Sequence, residues 1–338
     1  MAWLTEIRLA AGAFMPHWPM NEPESQCAAP SHSWGRRNLL KSLTAGLLAG
    51  GLGVGGFNRS ARASVSPDNL SKEPSTSESD RIAAVKAIPF DKLREDVKAK
   101  LSGVVDKPSL YRRMPDQLVD CNPDLFVFFI RYPEVIINIW DLLGISNVQI
   151  KRTAAYEFDV TDGAGTATTA ELVYGTKNLH LIYAEGAYEG PVLKRKVNGK
   201  CVLLLQSNYS LDANKRHQIA NRLDAFVAID NAGAEMVAKT LHPVMGPIAD
   251  HNFAQTAQFL GRMSQAAEVN SEGITQFADR LQSVDAKVRG EFQRIIANVG
   301  AGSPAASTAA RPKALNAPAL PKPAFKNFET NKAAPRQR

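Results

Sequence analysis

The sequence predicts an α+β fold built on an antiparallel β-meander, and three observations carry that reading. Apolar residues recur at helical spacing up to Leu143, alternate with a period of two between Asn147 and Asp230, and return to helical spacing afterwards. The alternating stretch contains two turn dipeptides, Asp162-Gly163 and Asn198-Gly199, of the kind that closes hairpins. The stripe from Ala249 to Ala267 is long enough to lie across a sheet with one apolar face.

The chain opens with a targeting pattern. Paired arginines, Arg36 and Arg37, precede a weakly apolar, Gly-rich run from Leu43 to Phe57, and Ala61-Arg62-Ala63 supplies a small-x-small cleavage pattern. This resembles a twin-arginine export signal, which makes 1–63 a signal peptide for the export machinery and places the folded part in the periplasm or cell envelope. The run falls short of the roughly 20 apolar residues that a membrane span needs. Cleavage after Ala63 and retention as an anchor remain the two readings, and Met20 is an alternative start. Gly51 to Gly56 matches G-x-G-x-x-G by letter. A basic segment precedes it and a cleavage pattern follows it, where a dinucleotide site needs a strand and then a helix.

The formal net charge of +7 is unevenly placed. Residues 1–63 carry six Lys/Arg against three acids, and 301–338 carry seven Lys/Arg against Glu329. The part between is slightly acidic, which argues against specific nucleic-acid binding. Residues 64–80 are rich in serine and poor in apolar side chains, so they read as a disordered linker. Phe90, Leu93, Val97 and Leu101 predict an amphipathic helix within 81–110. The globular domain then spans 111–299. The stretch 300–338, with six prolines, reads as a disordered basic tail able to touch an anionic polymer or membrane surface by charge alone.

Within the domain, Asn122-Pro123-Asp124 is a helix start, with Asn as cap and Pro in the first turn. Pro133 begins a second short helix that Gly144 ends. Strands follow at Val148–Ile150, Tyr156–Val160, Glu171–Tyr174, Leu179–Glu185, Cys201–Leu205 and Arg216–Asp230, about six in all. Ala232 to Leu241 is a helix that Pro243 and Pro247 should break. The next helix carries Ala249, Phe253, Leu260, Met263 and Ala267, and a last stripe runs from Ile274 to Ile295. Cys121 and Cys201 either pair as a disulfide in the exported chain or sit as plain buried thiols.

Two buried helices, a meander and a long amphipathic helix, in that order, resemble the START-like or helix-grip superfamily. The residues that carry the likeness are the last strand, His217 to Ile229, the loop Pro243 to Asp250, and the helix Ala249 to Ala267. The resemblance implies a curved antiparallel meander gripping the long C-terminal helix, with an apolar cavity between them for a small molecule or lipid. It makes non-catalytic ligand binding the leading expectation. The alternatives are a structural or interaction protein of the envelope with a filled core, and a small-molecule cyclase or hydrolase on the same scaffold.

Alternation in the last strand puts His217, Ile219, Asn221, Leu223, Ala225, Val227 and Ile229 on one face. That face is mostly apolar and should meet the helix through Phe253, with His217 and Asn221 as polar exceptions. A buried polar group needs a reason: a partner on the protein, water at the strand end, or a ligand. Tyr156 and Tyr183 occupy the apolar alternation of their strands and join the candidate cavity set of Tyr156, Tyr183, His217, Asn221, Leu223 and Phe253. His180, His242 and His251 lack metal-ligand spacing. Glu185 and Glu189 flank a Gly-rich bend that suits a solvated turn better than acid–base work. No pattern calls for a cofactor, a metal or a named set of catalytic residues.

Overall fold

A computed structural model describes residues 65–163, 165–190, 193–230 and 234–302, with side chains at 190, 193–195 and 234–245 left aside. The signal residues Arg36, Arg37, Ala61 and Ala63 and the basic tail from 303 lie outside the described residues. The fold is α+β, with an eight-stranded, curved antiparallel sheet and seven α-helices among the described residues.

The chain begins with α1 (Glu78–Ala87), a 3-10 turn (Phe90–Lys92) and α2 (Glu95–Val105). Two short strands, β1 (Leu110–Arg113) and β2 (Gln117–Val119), lead to α3 (Pro123–Arg131) and α4 (Pro133–Leu142). The meander follows as β3 (Gln149–Ala154), β4 (Glu157–Thr161), β5 (Thr166–Gly175), β6 (Leu179–Gly190), β7 (Leu193–Leu211) and β8 (His217–Ile229). Three helices close the chain: α5 (Ala234–Val269), α6 (Ser271–Ala278) and α7 (Ala286–Ala301).

Strand order is β1-β8-β7-β6-β5-β4-β3, with β2 also on β8. Register shifts between Arg152 and Ala154, Leu172 and Tyr174, and Tyr188 and Gly190 mark irregularities of the bulge type, which bend a strand and increase its twist. Gly186 lies in the middle of this bend. A Cβ there would meet the Ala167 carbonyl and stand 2.7 Å from Thr168 Cα, so only glycine lets β5 approach.

Over β6 to β8 both sheet faces are covered. On one, Ala225, Val227 and Ile229 of β8 and Cys201 and Leu203 of β7 pack with Ala249 and Phe253 of α5. The same face continues into Ile219, which joins α3, α4, α5, α6 and α7 in the largest core. On the other, Phe226, Val202, Leu204, Leu181 and Tyr183 pack against α1 and α2. Alternation thus sorts β8 as expected, and its second face is buried as well.

The helix starts at Asn122 and Pro133 agree with the sequence. Asn122 Oδ1 accepts from the Asp124 and Leu125 amides, and Gly144 takes a φ of 67° just past α4. Cys121 and Cys201 are free thiols in different parts of the core.

Several expectations are corrected. Residues 65–80 are not a disordered linker: Val65 is buried, Ser75 bridges Arg113, and Ser77 caps α1. Serines serve here as hydrogen-bonding groups on a strap, so their apolar poverty does not leave them loose. The 81–110 stretch holds two helices packed on the sheet, and the folded unit starts ahead of residue 111. Asn198-Gly199 is no hairpin turn. It lies inside the 19-residue β7, where Asn198 pairs with Ala187 and Gly199 with Gly186 and Ile229. Alternation through Val197, Cys201 and Leu203, all buried, outweighs the local turn preference. Pro243 and Pro247 do not break α5. Each costs about 3 kcal/mol in a helix interior. Burial of Ala249, Ala257, Leu260, Met263 and Ala267 and the Arg112–Asp250 ion pair offset that cost. The stripe from Ile274 to Ile295 is two helices, because Asp285 caps a new start by accepting from the Lys287 amide. Leu281 and Val284 are buried between them without being helical. β1 and β2 bring the six expected strands to eight.

Candidate functional site

The six candidate ligand residues do not converge on one place. Leu223 and Phe253 both pack, half-buried, against the same cluster of β7, β8 and α5. Asn221, two residues along the same face, is buried. Its Oδ1 accepts from Ser207 Oγ at 2.7 Å and its Nδ2 donates to the Ile219 carbonyl. His217, the first residue of β8, is exposed. Tyr183 is on the opposite face, among residues that pack on α2. There its hydroxyl donates to Glu185 at 2.7 Å, and burial, then that bond, raises its pKa well above the usual phenol range. Tyr156 sits in the turn between β3 and β4 and is 51% exposed. Placing Tyr156 and Tyr183 beside Phe253 is therefore corrected. Tyr156 lies in the β3–β4 turn outside the ladder, and cross-strand pairing of Tyr183 with Val202 and of Val202 with Phe226 fixes Tyr183 to the α2 side.

Two fully buried side chains, His180 on the sheet and Asn252 on α5, have orphaned polar atoms among the described residues. His180 pairs across β6 and β7 with Leu205, and Leu205 with Leu223, so all three side chains share the face that meets α5. His180 is fully buried, and neither ring nitrogen has a hydrogen-bond partner among the described residues. Burial, then the nearby Arg131 charge, lowers its pKa to about 4. Asn252 of α5 is fully buried too, with Oδ1 and Nδ2 both unpartnered. It lies two helical turns before Phe259, hence on the same flank. That flank is turned to α4, where Phe259 meets Trp140 edge-on at 5.6 Å. Asn138 Oδ1 on α4 is likewise unpartnered. On the sheet face that carries His180, Ile182, Leu205 and Leu223 are only half-buried, as is Phe253 of α5. The site reading from sequence missed His180 and Asn252. The signal was available as a histidine inside Leu179-His180-Leu181 and an asparagine one residue before Phe253.

A second feature is a cleft of about 490 Å³ between α3 and α7. Phe128, Ile295 and Val299 line it with apolar surface, and Arg131, Lys177 and Arg294 line it with positive charge. Phe128 stacks on Phe292 at 5.6 Å. Asp124 and Glu291 are its acids. Tyr132 is pushed above the usual phenol range by burial first and then by Glu291 beside it.

On the far face of the sheet, Asp224 is fully buried. It accepts from Tyr111 Oη at 2.6 Å and Arg113 Nε at 2.8 Å. Arg113 also reaches Asp80 of α1, and Arg222 holds Asp116 at 2.6 Å. Burial raises the Asp224 carboxyl above the ordinary aspartate value, against the pull of Arg113. The charges are mutually paired, which marks a structural network. No group of three or more potential metal ligands is present among the described residues.

No family model matches the chain, and no curated protein matches it. Among solved structures, it is similar to a hypothetical protein of Helicobacter pylori, at 12% identity over 42% of this chain and 85% of that one, with a TM-score of 0.27. It is also similar to an uncharacterized protein from Rhizobium leguminosarum, at 8% identity over 42% of this chain and 93% of that one, with a TM-score of 0.25. Likeness at this level carries no argument about fold or function.

Proposed function

We propose that this chain binds an apolar small molecule or lipid in a helix-grip arrangement, between the sheet and α5, after export to the cell envelope. The observation that carries the reading is a pair of fully buried side chains with no hydrogen-bond partner among the described residues, His180 on the sheet face that meets α5 and Asn252 on α5 itself, with half-buried Ile182, Leu205 and Leu223 on that sheet face and half-buried Phe253 on α5. A buried polar group left unsatisfied costs about 1–3 kcal/mol. A ligand with a polar end and an apolar body relieves that cost and covers the remaining apolar surface, which is the usual composition of a small-molecule pocket. Neutral His180 suits this role, since it offers one donor and one acceptor without bringing charge into the interior.

The test enlarges one wall. Ala225 is buried on the face that meets α5. In a filled core Ala225→Phe overpacks and costs roughly 1–3 kcal/mol. In a ligand cavity the ring has space, so stability holds while uptake of a fluorescent fatty-acid probe falls. Thermal unfolding and probe binding are measured together, with native mass spectrometry of the purified protein for co-purified lipid. A large stability loss in a protein that never takes up probe or lipid favours the envelope structural or interaction protein and rejects ligand binding. Export is tested by changing Arg36 and Arg37 to Lys: normal amounts of protein outside the cytoplasm would reject the twin-arginine route.

A further inference from the structure

The α3–α7 cleft has a composition that the reading above does not use. Its three cations come from three elements: Arg131 from the last turn of α3, Lys177 from the β5–β6 turn, and Arg294 from α7. None of the three is in an ion pair among the described residues. This is unlike Arg112, Arg113, Arg152 and Arg222, each of which holds a carboxylate. Lys177 is also positioned: its ammonium lies 4.8 Å from the Tyr209 ring centre, and its carbonyl accepts from Tyr209 Oη at 2.7 Å. Below the cations, Phe128, Ile295 and Val299 form a floor kept in place by the Phe128–Phe292 stack.

We infer that this cleft is a second binding site, separate from the space under α5, for an anionic group carried on a short apolar body. The cations are exposed to solvent, so charge alone would give weak, salt-screened attraction. The floor adds apolar contact directly beneath them, and a cleft of about 490 Å³ is within the range for small-molecule sites. A carboxylate takes charge-assisted hydrogen bonds from two guanidinium forks at once. A simple alcohol with the same chain gains only the floor. The anion can be a free carboxylate or the phosphate of a lipid headgroup, since both present oxygens to the same donors.

The experiment compares decanoate with decanol by calorimetry on the whole exported domain, at low and high salt. Vesicles of phosphatidylcholine, with and without phosphatidylglycerol, form a parallel arm. Decanoate is expected to bind more tightly than decanol and to weaken with salt. The double variant Arg131→Gln with Arg294→Gln should lose decanoate affinity by about tenfold or more, the weight of one charge-assisted hydrogen bond, with decanol and the melting temperature unmoved. Binding that extends to phosphatidylglycerol vesicles identifies the headgroup as the source, and binding of decanoate alone identifies a free acid. Equal binding of decanoate and decanol overturns the inference. So does a loss of decanoate binding in Ala225→Phe that the arginine variant does not share, because that assigns the acid to the space under α5.

Discussion

At the scale of the residue, the fold separates polar groups that are paired from those that are not. Arg113, Tyr111 and Asp224 satisfy one another under α1, whereas His180 on the sheet and Asn252 on α5 have no hydrogen-bond partner among the described residues. The difference has a measurable consequence in pH. His180 has a folded pKa of about 4 against an ordinary 6.5, because burial opposes its charged form. The unfolded chain therefore takes up the proton first, so the stability linked to His180 is complete above pH 6.5 and is lost as pH falls toward 4. The shift corresponds to about 3 kcal/mol. Denaturant unfolding of the wild type at pH 7 and pH 4 is expected to show a loss that His180→Phe lacks by about that amount. An equal loss in both proteins would mean that the ring is hydrated or partnered. The residue-level reading from sequence found Leu223 and Phe253, because alternation and helical spacing fix facing directions. It misplaced Tyr156, which lies in the β3–β4 turn, and Tyr183, because the sheet is buried on both faces there and apolar alternation alone does not tell which face meets α5.

At the scale of the element, the starts of α3 and α4 were readable from Asn122 and from the prolines at their first turns. Apolar periodicity placed the six strands of the meander and the Ala249–Ala267 stripe. What stayed hidden was decided at a distance. β1 and β2 are strands only because β8 offers an edge, and α5 continues through two prolines because its later turns are buried. The serine-rich strap from 65 to 80 is held by groups far along the chain: Ser71 N donates to Asp116 Oδ2 at 3.0 Å, and Asp80 meets Arg113. A chain beginning at residue 81 loses these contacts and the buried Val65. Fully burying a valine contributes about 1.5 kcal/mol or more, and each kcal/mol lost lowers the melting temperature of a domain this size by about 2–4 °C. Melting several degrees below a chain that begins at 64 is the expected outcome. Identical melting curves would show that the strap adds nothing to stability.

At the scale of the whole molecule, helices on both faces turn a curved sheet into the middle layer of three. The two thiols among the described residues both lie on the α5 side of the sheet, Cys121 in the core with α3 and α7 and Cys201 under α5. Burial pushes the Cys121 thiol up to about 12 and raises Cys201 as well, so neither is a ready thiolate. Both are expected to resist an alkylating reagent in native buffer and to react together when the domain unfolds, with the sites read by peptide mass spectrometry. Early reaction of one alone would show that its half opens independently. The sheet's margins complete the picture. β3 carries Lys151 and a register shift after Arg152, with Arg152 tied back to Glu134. On the opposite margin β1 takes a bridge from Ser75 on its outer side. Charge, irregularity and a covering strap are the features that keep a strand edge from recruiting another chain. The serine-rich strap is thus a guard against fibre growth. Its removal opens β1 to a neighbouring molecule, so aggregation in concentrated solution should begin at this margin.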